Sequence, residues 1–336
     1  MTDDRVKLAH GAGGPAMRAL IRGVLLEGET HAETLAMDDG AAVPFGDRWL
    51  VFSSDAHVVQ PIFFPGGDIG RLSVSGVVND LAMMGACDIL GLASNVVLEE
   101  GFSLDSLRTI QSSVRATCTE AGTRILTGDT KVMRRGEVDG IVLSTAGVGI
   151  TDRVVRNAGL RPGDAIVVTG TVGDHGLAVL SARNNLGLRG DLRSDVAPLN
   201  GLVRAALAVA SDAVHAMKDP TRGGVTGALV EMAEKAGVTV VLEEASIPVS
   251  HAARAAAEVL GIDPLLVANE GKALLAVARD RVEVVLDALH AHPLGHQAAC
   301  IGRVVENTGS GAVLLETGFG TRRLLERDSD PLPRIC

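Results

Sequence analysis

Short acidic motifs in the first half of the chain combine residue types and spacing that could do chemistry. Each follows or interrupts an apolar stretch, and the motifs are Asp38-Asp39-Gly40-Ala41, Ser53-Ser54-Asp55, Asn79-Asp80 and Gly128-Asp129-Thr130-Lys131. A lone carboxylate in apolar surroundings is unfavourable unless it is paired or binds a metal. Carboxylate oxygens without His or Cys ligands favour magnesium, which commonly carries the phosphates of a nucleotide. The motifs therefore predict a site for magnesium and phosphate.

Asp80 gives the sharpest signal among these acids. The sequence predicts a helix after Pro65-Gly66-Gly67, with Asp68 as its N-cap. At 100° per residue, Asp80 lies about 20° from Ile69 and therefore in the middle of the apolar face. An acid there needs a cation or several hydrogen-bond donors, although a buried Asp that caps a neighbouring loop remains an alternative.

Two glycine-bearing segments could also hold phosphate. The segment Gly11–Ala16 has the letters of a dinucleotide fingerprint, but no βαβ unit frames it, so a Rossmann site is excluded. It could cover a phosphate or simply be a mobile N-terminus. The segment Asp219–Gly224 precedes a predicted helix, where Arg222 and the amide of Gly223 could bind phosphate or form an ordinary cap and turn.

The elements that position these residues follow an α+β (α/β-like) pattern. We expect strands at Trp49–Ser53, Ile89–Val97, Ile141–Ile150, Ala165–Thr169, Thr239–Leu242, Lys272–Ala278 and Ala299–Val305. We expect the later helices at Ser103 to Gly122 and at about Gly176–Arg183, Leu202–Met217 and Gly223 to Gly237. The predicted division is an N-terminal domain over 1–155, a C-terminal α/β domain over 156–325 and a mobile tail over 326–336.

Composition excludes several classes of protein. The 336 residues carry a net charge of −10 and only 2% aromatic residues, which argues against nucleic-acid binding. The uncharged run Ala288–Gly302 is shorter than the ~18 residues of a membrane span, and the acidic N-terminus does not resemble a secretion signal. Four cysteines without a CxxC pair argue against zinc and a disulfide framework, so we expect a cytoplasmic protein. No packing argument accounts for a cysteine as the last residue, Cys336.

Taken in order, DDGAA around Asp39, SSDA around Asp55, VVNDLAMMGA around Asp80 and TGDTK around Asp129 resemble the ATP-binding superfamily of aminoimidazole ribonucleotide synthetase. The resemblance extends over nearly the whole chain. Within this superfamily, KDPTRGG at 218–224 and the terminal PRIC at 333–336 are similar to the HypE family, the carbamoyl dehydratases of nickel–iron hydrogenase maturation.

The resemblance implies a two-domain fold and a homodimer whose N-terminal sheets pair, with ATP held by magnesium along a groove. Matched motif by motif, it implies magnesium or phosphate contacts at Asp39, Asp55, Asp80, Asp129 and Asp219. Nucleotide contacts at Ser54, Arg222 and Gly223 complete the expected cofactor site. Lys131 and Glu270 match the positions at which the family is thought to handle protons.

The resemblance also implies a reaction. A HypF carbamoyltransferase would carbamoylate Cys336, ATP would phosphorylate the carboxamide oxygen, and loss of a proton and phosphate would leave an S-cyanide. The HypC–HypD complex would then receive the cyanide that becomes a ligand of the hydrogenase iron. A thiamine-monophosphate kinase or selenophosphate synthetase would share the aspartates without needing Cys336. A nucleotide-binding scaffold that does not turn over remains a further alternative.

Overall fold

The computed structural model describes residues 5–186, 191–306, 311–326 and 334–335. The helices are α1 Gly14–Leu20, α2 Ala32–Ala36, α3 Ile69–Met83, α4 Leu104–Glu120, α5 Asp174–Arg183, α6 Asn200–Ala210, α7 Gly224–Ala236, α8 His251–Leu260 and α9 Val282–His290. The strands are β1 Ala41–Phe45, β2 Arg48–His57, β3 Phe63–Phe64, β4 Gly67–Asp68, β5 Asp88–Glu99, β6 Ile125–Met133, β7 Ile141–Thr151, β8 Ala165–Val168, β9 Val214–Lys218, β10 Thr239–Glu243, β11 Leu274–Val277, β12 Ala299–Val305, β13 Ala312–Glu316 and β14 Arg322–Leu325.

A first sheet of five strands has the order β1-β2-β7-β5-β6. Its central strand β7 alternates fully and partly buried residues along its whole length, as expected when only one face is covered by helices. That face packs against α3 and α4, and β6 forms an edge of the sheet. The opposite face carries no helix of the described chain.

Helix α3 lies between the first sheet and the rest of the molecule, and thirteen of its fifteen residues are buried. Asp68 caps it by accepting a hydrogen bond from the Arg71 amide at 2.9 Å, which confirms the predicted N-cap. A Cβ added at Gly70 would lie 2.5 Å from the carbonyl oxygen of Ile110 on α4. The glycine therefore allows the two helices to pack closely.

A second sheet of seven strands has the order β14-β13-β10-β12-β8-β11-β9. All four residues of its strand β8 are buried, because helices cover both faces of the sheet. Ile166 packs toward α7 with Leu229, whereas the neighbouring Val167 packs toward α6 and α9 with Leu202 and Val285. The mixed helix and sheet content confirms the predicted fold class.

The predicted helix at Leu202–Met217 is wrong in its second half. Helix α6 ends at Ala210, and the residues from Val214 form strand β9, which pairs antiparallel with β11. Small residues continue through this stretch, so local periodicity does not mark the change. Pairing with β11, which lies more than fifty residues later in the chain, decides it.

Two residues of the expected mobile arm, Arg334 and Ile335, contact the rest of the protein, whereas 327–333 and Cys336 lie outside the described residues. Ile335 is only 1% exposed and belongs to the hydrophobic cluster that includes Val59, Phe64 and Leu177. The Arg334 side chain donates to the carbonyl oxygen of Val58 at 3.1 Å. These two residues are therefore docked on the body of the protein. Elsewhere, within the ranges that the structure describes, no helix is long and apolar enough to cross a membrane.

Asn79 on α3 joins the two halves of the molecule and is 1% exposed. Its amide donates to the carbonyl oxygens of Ala197 and Glu270 at 3.2 and 3.1 Å, and its carbonyl oxygen accepts from the Leu199 amide at 2.8 Å. One side chain thus satisfies three buried backbone groups that no regular element pairs. Asn79 thereby holds the segment that carries Glu270 against the helix that carries Asp80.

We expect Asn79→Ala to lower the free energy of unfolding by about 2–4 kcal/mol, because it removes the hydrogen bonds to the Ala197 carbonyl and the Leu199 amide and one of the two to the Glu270 carbonyl. Chemical denaturation measures the change. Ser112→Ala, at an exposed position of α4, is the matched control and should alter stability by less than ~0.5 kcal/mol. Equal stability of the Asn79 variant and the control would contradict this role.

Candidate functional site

A cavity of about 780 Å³ lies between the two sheets, and we call it the acidic cavity. Its walls come from β2 and α3 on one side and from the end of β9 and the start of α7 on the other, and the N-terminal segment contributes a further wall. The predicted site residues that line it are Asp39, Ser54, Asp55, Asp80, Asp219, Arg222 and Glu270. Residues separated by up to 231 positions in the sequence therefore meet at one site.

Three carboxylates converge at the centre of this cavity. Asp39 precedes β1, Asp80 projects from α3 and Asp219 follows β9. One ligand oxygen from each lies within 4.8 Å of the others. The Ser53 hydroxyl donates to Asp80 at 2.6 Å and fixes one of these side chains.

Lys218 supplies positive charge to the acids. Its ammonium forms an ion pair with Asp39 and lies 3.8 Å from Glu231. Burial lowers the pKa of Lys218, but Asp39, Glu231 and Asp219 outweigh burial and raise that pKa above its ordinary value. Lys218 is therefore charged at neutral pH, and its charge opposes the rise that burial imposes on the pKa of Asp39.

The other two carboxylates, Asp80 and Asp219, lie close to further negative charges. Burial raises the pKa of Asp80 well above its ordinary value, and Asp55, Asp219 and Asp39 raise it further. Burial, followed by the charge of Asp39, raises the pKa of Asp219 to about 8. Both effects have the same physical origin, since like charges in a desolvated site favour the neutral acids.

The donor set fits a divalent cation. Three convergent carboxylates offer hard oxygen ligands, and the ion pair with Lys218 involves only one of them, Asp39. Such ligands suit magnesium, whose bound charge would reverse the pKa shifts of Asp80 and Asp219. We therefore identify Asp39, Asp80 and Asp219 as the residues that could hold a metal, with Asp55 beside them in the cavity wall.

Helix α3 approaches strand β2 closely at this site. A Cβ added at Gly76 would lie 2.8 Å from Nε2 of His57 and 3.3 Å from Oδ2 of Asp55. His57 is 3% exposed, and its Nδ1 finds no hydrogen-bond partner among the described residues. Burial lowers the pKa of His57, although the neighbouring Asp55 opposes that shift. A side chain at position 76 would occupy this space, so Gly76 allows His57 and Asp55 to face the cavity.

Glu270 is a buried carboxyl with an incompletely satisfied head group. It is 3% exposed, and its Oε1 has no hydrogen-bond partner in the part of the chain that the structure describes. Its backbone amide donates to Asp195 at 3.0 Å, which fixes the main chain. Burial raises its pKa well above the ordinary value, and Asp219, Asp195 and Asp55 add to the rise. These properties suit a group that exchanges protons.

The N-terminal glycine segment lies over Arg222. A Cβ added at Gly13, where φ is 72°, would lie 3.4 Å from Cβ of Arg222. Gly13, Gly14 and Arg18 line the acidic cavity. Gly223 itself is the N-cap of α7, with a φ of 82° that suits glycine. Of the two alternatives for residues 11–16, the structure favours a segment that covers the cavity.

Asp129 and Lys131 do not line this cavity. They lie on the edge strand β6, where their side chains pair at 2.6 Å and remain 60% and 67% exposed. Cys336, the third residue of the predicted catalytic set, lies outside the described residues. The fold of one chain therefore brings together most, but not all, of the predicted residues.

Sequence reasoning missed several residues of the site. Lys218 stands in the KDPTRGG motif, and the available signal was a lysine that directly follows the apolar residues Ala216 and Met217. Lys235, which also lines the cavity, donates to the carbonyl oxygen of Met37 at 2.6 Å and pairs with Glu231 at 3.1 Å. Its position on α7, four residues after an acid, resembles an ordinary surface pair. Nothing local distinguishes it.

The raised pKa of Asp219 predicts how stability depends on pH. A carboxyl whose pKa is raised on folding adds stability below about pH 4, and this contribution is lost as pH rises through about 8. In EDTA, Asp219→Asn should therefore become increasingly more stable than the parent chain as pH rises between these limits, and the difference should reach several kcal/mol at pH 9.

Thermal and chemical unfolding at pH 5, 7 and 9 measure this difference. Asp212→Asn, at an exposed position of the same half, is the matched control and should follow the parent chain at every pH. Parallel profiles for Asp219→Asn and the parent chain would contradict the electrostatic account.

The chain is similar to known proteins over nearly its whole length. Family models of the AIR synthase related proteins match at residues 37–151 for the N-terminal domain and 161–314 for the C-terminal domain. The carbamoyl dehydratase HypE of Cupriavidus necator is 45% identical, over 99% of this chain and 95% of its own length.

Two solved structures are similar over most of the chain. A HypE–HypF complex contains a chain with a TM-score of 0.87 and 39% identity, which covers 92% of this chain and 100% of that one. A HypE structure in complex with ATP has a TM-score of 0.83 and 38% identity, covering 99% and 100%. The chain belongs to the AIR synthase related family and, within it, to the HypE carbamoyl dehydratases.

Proposed function

We propose that this protein is an ATP-dependent carbamoyl dehydratase that acts on its own C-terminal Cys336 during nickel–iron hydrogenase maturation. The observation that carries the proposal is the docking of Ile335, which is bonded directly to Cys336, beside the acidic cavity. His175 holds the carbonyl oxygen of Ile335 and contacts Ser194, and the next residue, Asp195, binds the backbone amide of Glu270, which lines the cavity. Similarity to a HypE bound to ATP supports a nucleotide in this cavity.

The acidic cavity has the groups that an ATP-dependent reaction requires. Asp39, Asp80 and Asp219 would hold magnesium, which when bound neutralises charge on the transferring phosphoryl group. Arg222 and the N-terminus of α7, which begins at Gly224, would bind phosphate oxygens. Ser54 and the covering N-terminal segment would orient the nucleotide and exclude water.

The reaction converts a thiocarboxamide into a thiocyanate. The carboxamide oxygen of carbamoylated Cys336 attacks the γ-phosphorus of ATP, forming a C–O–P linkage and releasing ADP. The nitrogen loses its two protons as the C–O bond breaks, so that phosphate departs and S–C≡N remains. The sum is thiocarboxamide plus ATP giving thiocyanate, ADP and phosphate. Glu270 has a raised pKa and an Oε1 without a hydrogen-bond partner among the described residues, and it is the base that we assign to the nitrogen.

The partners follow from the same assignment. A HypF-type transferase would supply the carbamoyl group, as the similarity to a HypE–HypF complex supports. A HypC–HypD complex would accept the cyanide. A cytoplasmic location suits a reaction that needs a reduced thiol at Cys336.

We also propose a homodimer formed through the first sheet. Its uncovered face and edge expose Phe52, Leu90, Leu126 and Val132 by 43%, 51%, 61% and 68%. Contiguous exposed apolar surface and a long edge strand are features that a partner covers.

This uncovered face is continuous with the acidic cavity. An apolar groove of about 500 Å³ runs across it and shares Phe52, Ser53 and Ser54 with the cavity wall. A second copy could therefore bring its Asp129 and Lys131 to the site of the first. This arrangement accounts for the two predicted residues that one chain leaves outside.

Intact-mass measurement tests the proposed reaction. The chain is carbamoylated with the transferase and carbamoyl phosphate, and Mg-ATP is then added. We expect the protein to lose the mass of one water while ADP and phosphate appear in equal amounts. Retention of the carbamoyl mass with intact ATP would contradict a dehydratase and favour a scaffold. Phosphorylation of added thiamine monophosphate would favour a small-molecule kinase.

Matched cysteine variants locate the reaction. Cys336→Ala should abolish carbamoylation and leave ATP affinity unchanged, whereas Cys300→Ala, at an exposed cysteine, should react like the parent chain. Glu270→Gln should accept the carbamoyl group but dehydrate it at least ~100-fold more slowly. Dehydration by Glu270→Gln at the parental rate would remove Glu270 from the mechanism.

The homodimer has its own test. Leu126→Glu places a charge on the uncovered face and should convert the protein to a monomer in light scattering. It should also slow dehydration at least ~10-fold if the second copy completes the site. Leu104→Glu, at the exposed start of α4, is the control and should remain dimeric. A monomeric parent chain would overturn this part of the proposal.

A further inference from the structure

The carbonyl group that precedes Cys336 is held by a buried histidine. Nε2 of His175 lies 2.9 Å from the carbonyl oxygen of Ile335, and Nδ1 lies 2.7 Å from the hydroxyl oxygen of Ser194. A carbonyl oxygen only accepts hydrogen bonds, so Nε2 carries the proton. Burial lowers the pKa of His175, so the ring is neutral and Nδ1 accepts from Ser194. Ser194 thus selects the tautomer that binds the tail.

The main chain of the preceding residue is held as well. The carbonyl oxygen of Arg334 accepts from the Gln60 amide at 3.2 Å and from the Arg183 guanidinium at 2.6 Å. We call His175, Ser194, Gln60 and Arg183 the tail clamp. Gln60 follows β2 of the first sheet, whereas His175 and Arg183 lie on α5, which belongs to the other half. The clamp therefore binds the tail across the junction of the two halves.

The tail clamp and Glu270 share their supports. Ser194 is followed by Asp195, whose carboxylate accepts from the Glu270 amide at 3.0 Å. Asn269, which precedes Glu270, accepts from the amide of Gly173 at 2.7 Å, and Gly173 is the N-cap of α5. Two short segments thus fix the histidine and the glutamate relative to each other. A tail held by His175 is consequently held in a defined position relative to Glu270.

A role in packing alone does not account for His175. The ring is fully buried and packs edge-on against Phe64 with centroids 5.5 Å apart, a contact that a phenylalanine would also make. Both ring nitrogens are instead used in one chain of hydrogen bonds, from Ser194 through the ring to the tail. The hydrogen bond from His175 therefore acts on the position of the Ile335 peptide group and not on the packing of the core.

We propose that His175 is a positioning residue that fixes the peptide carbonyl of Ile335 and so places Cys336 for dehydration. The inference deepens the proposed function and depends on it only for the role of Cys336. The hydrogen bond itself is independent of ATP and of carbamoylation. The two ideas can therefore fail separately.

Carboxypeptidase Y tests the hydrogen bond directly, because the Ile335 carbonyl is the group that this protease must attack to release Cys336. The parent chain and His175→Phe, each full length and uncarbamoylated, are digested and followed by intact mass. His175→Phe keeps a ring against Phe64 but removes both hydrogen bonds. We expect Cys336 to be released about tenfold faster, which corresponds to a loss of ~1.4 kcal/mol in docking.

Further variants keep this test decisive. His175→Gln retains an amide donor and should restore most of the protection. His175→Leu, which also lacks both hydrogen-bonding groups, replaces the phenylalanine variant if that variant does not fold. His251→Phe, at an exposed histidine, should leave the release rate unchanged. Equal release from His175→Phe, His175→Gln and the parent chain would overturn the proposal.

Turnover completes the experiment. With carbamoylated protein, His175→Phe should lower the rate of thiocyanate formation about tenfold and leave the Kd of ATP unchanged. Faster release of Cys336 with an unchanged dehydration rate would overturn the positioning role. A parent chain that does not dehydrate at all would refute the proposed function, while the protease result would still decide whether His175 holds the tail.

Discussion

The repulsion among buried carboxylates is the constraint on which the rest of the site depends. Asp39, Asp80 and Asp219 reach one point from three separate elements, and each loses solvation there. Lys218 offsets one negative charge, while burial first and the neighbouring negative charges second raise the pKa of Asp80 and Asp219. The arrangement is unfavourable for the isolated chain and favourable once a cation is bound. The two halves must therefore pack firmly enough to hold the acids together.

Hydrogen bonds between neutral groups hold the two halves of the molecule together in this region. Asn79 bridges α3 to the segments that carry Leu199 and Glu270, and Asn269 fixes the start of α5. Neutral amides can be buried with all their groups paired, whereas further charges would add to the electrostatic strain of the cavity. The same segments orient His175, so the acidic cavity and the docked tail rest on one framework.

Local patterns predicted where two helices begin. Helix α3 begins at the predicted cap, Asp68, and α4 follows Ser103 as expected, because capping and periodicity are local properties. The second half of the predicted helix at Leu202–Met217 failed for the opposite reason. Strand β9 forms because β11 lies beside it, and no residue within 214–218 carries that information.

By itself, the sequence determined the chemistry: acids in apolar surroundings need a cation, and motif order together with a terminal cysteine indicates the family. Tertiary structure decided which residues meet. It placed Lys218 among the acids, put Asp129 and Lys131 on an exposed edge and used His175 to hold the tail. The physical reason is that side-chain types are encoded locally. Their mutual distances depend on contacts between segments far apart in the chain.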